Sequence, residues 1–329
     1  MSRFSIVVPL AGKLSLFEDT LASVLRYRCP ASQIIVAHAN AYEDPYGLGK
    51  EVDFVAVKPS SARSSVGLIE LFNAAVRVAR GEFVALIRPG AQLSENWDSL
   101  ITRAFSDPNV GSVAPALVAG NLTNRIVAGG ITAGGSYNRK LVGSNQRFDT
   151  RRVASLKPLG PTSWAAFYRR SLLTAIGEAD EQLDPMYLDL DLALSLKALD
   201  FGCQFCPDCV VSLADATAIT VEAGLAHGRS AQRAVARYSG LLSSQQQMKM
   251  LQAMSSEIAV SPWHRSNLLH AWQRLSAAKH RSADDHHRSL IAVLKQQRQR
   301  LVGPQIQLFE VPDSPVRSDK LRKVIKRAA

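Results

Sequence analysis

The sequence predicts an α/β protein, with a mostly parallel sheet covered by helices on both faces and a basic helical extension behind it. Three observations carry this. Short apolar, β-branched runs alternate with amphipathic helical stretches through the first two thirds of the chain. The runs are apolar throughout rather than at every second residue, the pattern of strands buried on both faces. The charge balance then breaks near residue 220: residues 1–220 hold 21 Lys and Arg against 21 Asp and Glu, whereas residues 221–329 hold 18 against 7. The whole net charge of +11 therefore lies in the last third, which sets the expected domains at 1–220 and 221–329.

The elements follow in order. Ser5–Leu10 is a strand-like run ended by Pro9, and Leu14–Tyr27 places Leu16, Phe17, Leu21, Val24 and Leu25 on one helical face. Gln33–Ala37 and Phe54–Val57 are the next strands. Val66–Ala79 is a helix closed by Arg80-Gly81, and Glu82–Ile87 is a strand turned by Pro89-Gly90. Residues 119–150, rich in Gly, Asn and Ser, read as an irregular excursion in which Gly129-Gly130 and Gly134-Gly135 suit a hairpin. The double glycines suit a phosphate cradle only weakly, because no clear helix start follows them. Trp164–Ile176 and Pro185–Leu199 read as helices and Gln204–Val211 as a late strand. Arg229–Met254, Pro262–Lys279 and Asp284–Leu301 read as long helices, followed by a basic stretch over Ser318–Ala329. In open sheets of this kind ligands sit beyond the carboxyl ends of the strands, here Pro9–Gly12, His38–Asn40 and Arg88–Gln92.

Composition narrows the function classes. The hydrophobic content of 47% indicates a folded core. No apolar run approaches the roughly 18–20 residues that span a bilayer, and the N-terminus shows no secretory pattern. The expected location is cytoplasmic, with peripheral contact at the inner membrane face as a variant. Cys203, Cys206 and Cys209 form a CxxCxxC pattern that reads either as a metal or iron–sulfur site or as a buried strand using Cys as a small hydrophobe. No second cluster completes a four-ligand zinc site. His280 and His286-His287 read as solvated helix residues. Nucleic acid is not an expected partner, since no recognition motif appears and few aromatics interleave with the basic residues. An anionic membrane surface or an acidic partner protein suits residues 229–327 better.

Several segments resemble an inverting family 2 glycosyltransferase with the GT-A fold, the nucleotide-diphospho-sugar transferase type. Ser5-Ile6-Val7-Val8-Pro9 is similar to that family's first strand, and Leu21-Ala22-Ser23-Val24-Leu25 to its first helix. Asn73 with Ala79-Arg80-Gly81-Glu82-Phe83-Val84 resembles the segment before its metal-binding strand end. Arg169-Arg170, Ile176-Gly177 and Asp180-Glu181 resemble its acceptor side, and Tyr187-Leu188-Asp189-Leu190-Asp191-Leu192 its acidic element. The match covers about residues 4–212. The resemblance implies a nucleotide-sugar donor, a glycan or lipid-linked acceptor and a role in polysaccharide biosynthesis. Donor contacts would fall at Pro9, His38, Asn73, Arg88 and Gly90. Asp189 would be the base that takes the acceptor proton, with Asp191 in support.

Three departures bear on the chemistry. The second strand ends in His38, with Ala41 following, where the family has an acid and a Ser. The family's metal-binding Asp-x-Asp aligns with Arg88-Pro89-Gly90. The His that the family often carries after its last strand aligns near Ser212-Leu213. Hard divalent cations need oxygen ligands, so a Mg²⁺ or Mn²⁺ held in the family manner is not expected and no metal ligand is assigned. Arg88 can instead supply positive charge as a bidentate phosphate donor, and His38 can stack on or hydrogen-bond a base. Asp189 and Asp191 also suit a plain helix N-terminus. Trp164 suits either a sugar-stacking platform or the core. Three functional readings follow: a transferase in which Arg88 can replace the cation, a catalytically silent relative that binds a glycan, nucleotide or partner, and a basic adaptor whose N-terminal domain is only a scaffold.

Overall fold

The computed structural model describes residues 3–39, 42, 44–59, 65–120, 125–133, 139–215, 218–219 and 307–308. The chain opens with β1 (Phe4–Pro9), α1 (Leu14–Tyr27), β2 (Gln33–Ala39), β3 (Asp53–Val57), α2 (Leu68–Val78) and β4 (Phe83–Ile87). It continues through β5 (Ala91–Gln92), α3 (Trp97–Ala104), β6 (Val110–Ala119), β7 (Ile126–Ala128), β8 (Ile131–Ala133), β9 (Arg139–Leu141) and α4 (Thr150–Val153). β10 (Ala165–Arg169), α5 (Arg170–Ile176), a 3₁₀ turn at Pro185–Tyr187, α6 (Leu188–Ala198), β11 (Gly202–Leu213) and β12 (Gln307–Leu308) complete it.

The main sheet runs β12-β3-β2-β1-β4-β10-β6-β11-β5, with β7 paired to β6. β3, β2, β1 and β4 are parallel neighbours, so their carboxyl ends share one edge. β10 enters antiparallel between β4 and β6, which brings its amino end to that same edge. Every residue of β1 and β4 is buried, as expected for strands covered on both faces. One apolar layer joins Phe17, Leu21 and Val24 of α1 to Trp97 and Ile101 of α3. The other joins Leu68, Leu71 and Phe72 of α2 to Leu173 and Ile176 of α5 and to Leu190 and Leu194 of α6.

The glycine of the Ala79–Val84 segment has a steric cause. A Cβ on Gly81 would meet the Ser5 nitrogen at 2.5 Å and the Phe4 carbonyl carbon at 2.6 Å, so only glycine lets this turn pass under β1.

Two sequence expectations are corrected. Trp164–Ile176 is not one helix: Ala165–Arg169 is a strand, and the helix starts only at Arg170. Pairing with Phe83–Ile87 on one side and Ser112–Val113 on the other overrides the helical preference of its alanines. Residues 119–150 are not wholly irregular, since they carry β7 and the β8–β9 hairpin. The long strand β6 had no counterpart in the sequence reading. Pro115 interrupts its pattern, and opposite it the β6–β11 register shifts between Cys206 and Val210. A proline lacks the N–H that the ladder needs, so it sits where the pairing is irregular. The helices expected over 229–301 and the basic stretch over 318–329 lie outside the described residues, as do Gly134-Gly135. Gln307-Leu308 add antiparallel to the β3 edge at Val55–Ala56. Among the described residues, no helix is long and apolar enough to cross a membrane.

Candidate functional site

The parallel edge gathers Pro9, His38 and Arg88 at three strand ends, with Trp164 beside them at the start of β10. Pro9 ends β1 buried and in register with Ala37. His38 and Arg88 stand two strands apart, about 10 Å from the usual strand spacing.

His38 is 2% exposed. Its Nδ1 lies 2.7 Å from the Ala39 carbonyl, and because a carbonyl only accepts, Nδ1 carries the proton there. Burial pulls the imidazole below its ordinary pKa against that hydrogen bond, so the ring is neutral at neutral pH. Tyr42 lies 5.4 Å from it and Phe54 6.3 Å, centroid to centroid. His38 is thus part of an aromatic wall rather than an open platform. Asp44 supplies a carboxylate just beyond β2, but its oxygens accept the Tyr46 and Gly49 amides at 3.2 and 3.1 Å. It shapes a turn and does not replace the missing acid.

The Arg88-Pro89-Gly90 turn is sealed by its own hydrogen bonds. The Gly90 amide donates to Thr20 Oγ1 at 2.8 Å, and the Ala214 amide donates to the Gly90 carbonyl at 2.8 Å. The Arg88 carbonyl accepts the Ala91 amide at 2.9 Å. Gly90 has φ +95°, a conformation that L side chains resist, so an acid at this position would be strained as well as absent. The Arg88 guanidinium lies 4.4 Å from the centre of the Trp164 ring, inside cation–π range. Its Nη1 donates to Ser163 Oγ at 3.2 Å, and its backbone amide donates to the Trp164 carbonyl at 3.0 Å. One face of Trp164 is thereby covered by Arg88, so that face is not open to a sugar.

Asp189 sits in the first turn of α6, completely buried. Arg139 of β9, itself buried, donates through Nε to both carboxylate oxygens at 2.9 Å and through Nη2 to Oδ2 at 2.7 Å. The Ser163 amide adds a fourth contact at 3.0 Å. The carboxylate is thus buried and engaged by Arg139 and by the Ser163 amide. Asp191 accepts the Asp180 amide at 2.9 Å, which ties α6 to the loop before it. Asn73 donates to the Ala179 carbonyl and to Glu181 Oε1 at 3.0 and 3.2 Å, and its own oxygen accepts the Ala179 amide at 3.1 Å. Its amide thus ties α2 to the loop that carries Ala179 and Glu181.

The structure therefore joins Arg88, Trp164 and Asp189 into one cluster through Ser163. His38 stands on the far side of β1, and Asn73 and Asp191 brace the helices. Ser163 and Arg139 escaped the sequence reading. Ser163 follows the Gly160-Pro161 turn with no motif of its own, and Arg139 is a single cation in a polar stretch.

A divalent cation does not suit the strand-end turn. Arg88-Pro89-Gly90 offers a guanidinium, an imino acid and no side-chain oxygen, while Asp189 and Asp191 are engaged elsewhere. Among the described residues, no group of three His, Cys, Asp or Glu is arranged to hold a metal ion. Cys203, Cys206 and Cys209 share β11, and burial pushes all three thiols up, Cys203 to about 12.

No family model matches the chain by sequence, and no curated protein does. Solved structures do match by shape. The mannosyltransferase PcManGT from Pyrobaculum calidifontis, in complex with GDP-Man and Mn²⁺, aligns over 90% of this chain and 82% of that one, at 17% identity and a TM-score of 0.49. GalNAc-T7 with UDP, GalNAc and Mn²⁺ aligns over 64% of this chain at 14% identity and a TM-score of 0.50. This chain spans 44% of that protein. The domain has the GT-A fold. Fold alone assigns no activity.

Proposed function

We propose that the domain binds a nucleoside-diphosphate sugar at the carboxyl ends of β1, β2 and β4, as a divergent family 2 glycosyltransferase of the inverting kind. The observation that carries this reading is Arg88. It stands at the end of β4, where a metal-binding acid is expected, and its guanidinium lies over the Trp164 ring and donates to Ser163 Oγ. A guanidinium meets phosphate oxygens in a fork, whereas a metal would neutralise them by coordination. Arg88 is therefore the group that offsets the diphosphate charge, and donor binding needs no divalent cation. Pro9 and the His38–Tyr42–Phe54 wall bound the base side of the site. GalNAc-T7, which shares the fold, was solved with UDP, GalNAc and Mn²⁺, a nucleotide of the class expected here. The acceptor in this reading is a glycan or a lipid-linked saccharide.

A second reading, a nucleotide-sugar binder without transfer, draws on the four hydrogen bonds that Asp189 already accepts. An inverting transfer needs a carboxylate at liberty to take the acceptor proton.

Titrating UDP and GDP calorimetrically, with and without Mn²⁺, tests the proposal. The expected result is binding that Mn²⁺ does not strengthen and that Arg88→Ala weakens at least about tenfold, the effect of losing a charge-assisted contact. Mn²⁺-dependent binding, or binding indifferent to Arg88→Ala, overturns it. Sugar transfer to an acceptor, followed in the same samples, separates the two readings.

A further inference from the structure

We infer that Asp189 and Arg139 are positioning residues that hold Arg88 in place through Ser163, so that Asp189 serves the donor side of the site. The inference rests on the proposed donor site and assigns roles within it.

The geometry gives a continuous chain of contacts. Arg139 grips Asp189 with three donor contacts of 2.7–2.9 Å, and both side chains are almost wholly buried, at 1% and 0% exposed. Asp189 Oδ2 in turn accepts the Ser163 amide at 3.0 Å. Ser163 Oγ accepts from Arg88 Nη1 at 3.2 Å, while the next residue, Trp164, offers its ring to the Arg88 guanidinium and its carbonyl to the Arg88 amide. The 163–164 backbone is thus held on one side by the acid and holds the cation on the other. Three segments distant in sequence, β9, the 160–164 turn and α6, meet around this one stretch.

The chemistry explains why such a support is needed. A metal ion is placed by several ligands, whereas an arginine ends a flexible chain and loses much rotamer freedom when it is fixed. Contact with an indole face fixes where the guanidinium sits but not its rotation. The Ser163 hydroxyl sets that rotation. A buried bidentate ion pair is costly to desolvate and adds little net stability. Its function here is geometric: it keeps the Ser163 amide, and with it the hydroxyl, in register with Arg88.

The experiment uses the full chain and two readouts. In the first, UDP and GDP are titrated against wild type, Ser163→Ala, Ser163→Thr, Arg88→Ala and the Ser163→Ala/Arg88→Ala double variant. Ser163→Ala is expected to weaken binding about tenfold, the scale of a hydrogen bond to a charged group. Ser163→Thr restores it, and the double variant binds no more weakly than Arg88→Ala alone, because both changes act on one contact. Wild-type binding by Ser163→Ala, or additive losses in the double variant, overturns the inference.

In the second readout, the Arg88 Nε–H signal of ¹⁵N-arginine-labelled protein reports side-chain mobility without any nucleotide. Ser163→Ala and Asp189→Asn are both expected to lower its heteronuclear NOE, and an unchanged value overturns the inference. Should Asp189→Asn fail to fold, Ser163→Ala alone decides. If wild type binds neither nucleotide, the donor-site reading fails by itself, and this signal still judges the positioning of Arg88. An Asp189→Asn protein that keeps full nucleotide affinity and loses only sugar transfer makes Asp189 a base and overturns the assignment.

Discussion

The strand-end side of the candidate site and its helix side differ in opposite ways from what the sequence resemblance leads one to expect. At the ends of β2 and β4, where that resemblance expects acids, stand His38 and the Arg88-Pro89-Gly90 turn, with the Arg88 guanidinium over the Trp164 ring and hydrogen-bonded to Ser163. At the start of α6 the acids are present, yet Asp189 is locked to Arg139 and Asp191 to the Asp180 amide. The presence of a motif residue and the availability of its functional group are thus separate properties. One side lacks the expected acids and presents a cation, while the other carries the expected acids with their oxygens engaged inside the fold.

The largest expected effect tests the helix side. Asp189→Leu leaves Arg139 buried without its partner and should cost about 3–5 kcal/mol in urea unfolding. Adding Arg139→Met should recover most of that loss, because an apolar pair of similar volume avoids the desolvation penalty. A loss below about 1 kcal/mol for Asp189→Leu would show that the carboxylate is not committed to Arg139, and the contrast between the two sides would collapse.

Asn73→Ala ranks next. It removes both the donor to the Ala179 carbonyl and the acceptor of the Ala179 amide. Leaving those groups buried and unmet should cost about 1–3 kcal/mol by the same measurement. A nucleotide affinity that falls with stability unchanged would move Asn73 back to the donor site.

Gly90→Ala probes the strand-end turn. A Cβ there meets only ordinary contacts, Trp164 at 3.5 Å and Leu16 at 3.7 Å, so the cost is the positive φ alone, about 1–2 kcal/mol. A neutral result would mean that the turn can relax, and the Arg88→Asp/Gly90→Asp variant would then be a fair attempt to restore a metal site.

The smallest effect is a pH dependence from His38. Its folded pKa lies below its unfolded one. As pH falls from roughly 6.5, the unfolded chain takes up the proton first. Stability from this residue is therefore full above that value and lost on acidification, levelling off once the folded imidazole also protonates. The slope of Tm between pH 7 and pH 5 should be shallower in His38→Gln than in wild type. Equal slopes would mean that the imidazole is solvated and open to a ligand.

The sheet was legible because its strands are local and apolar. Phe4–Pro9, Gln33–Ala39 and Phe83–Ile87 announce themselves by composition, and Leu14–Tyr27 and Leu68–Val78 by periodicity. Ala165–Arg169 was not legible, because its strand state comes from two partners, one about 80 and one about 55 residues away in sequence, and not from its own residues. The substitution of His38 and Arg88 for acids could be read directly, since identity is a property of one position. The occupation of Asp189 could not, since it depends on Arg139, fifty residues earlier in the chain. Local pattern determined which segments form strands and which charges stand at the strand ends. Long-range packing determined which partners engage those charges, because a hydrogen bond between distant residues exists only once the chain has closed around it.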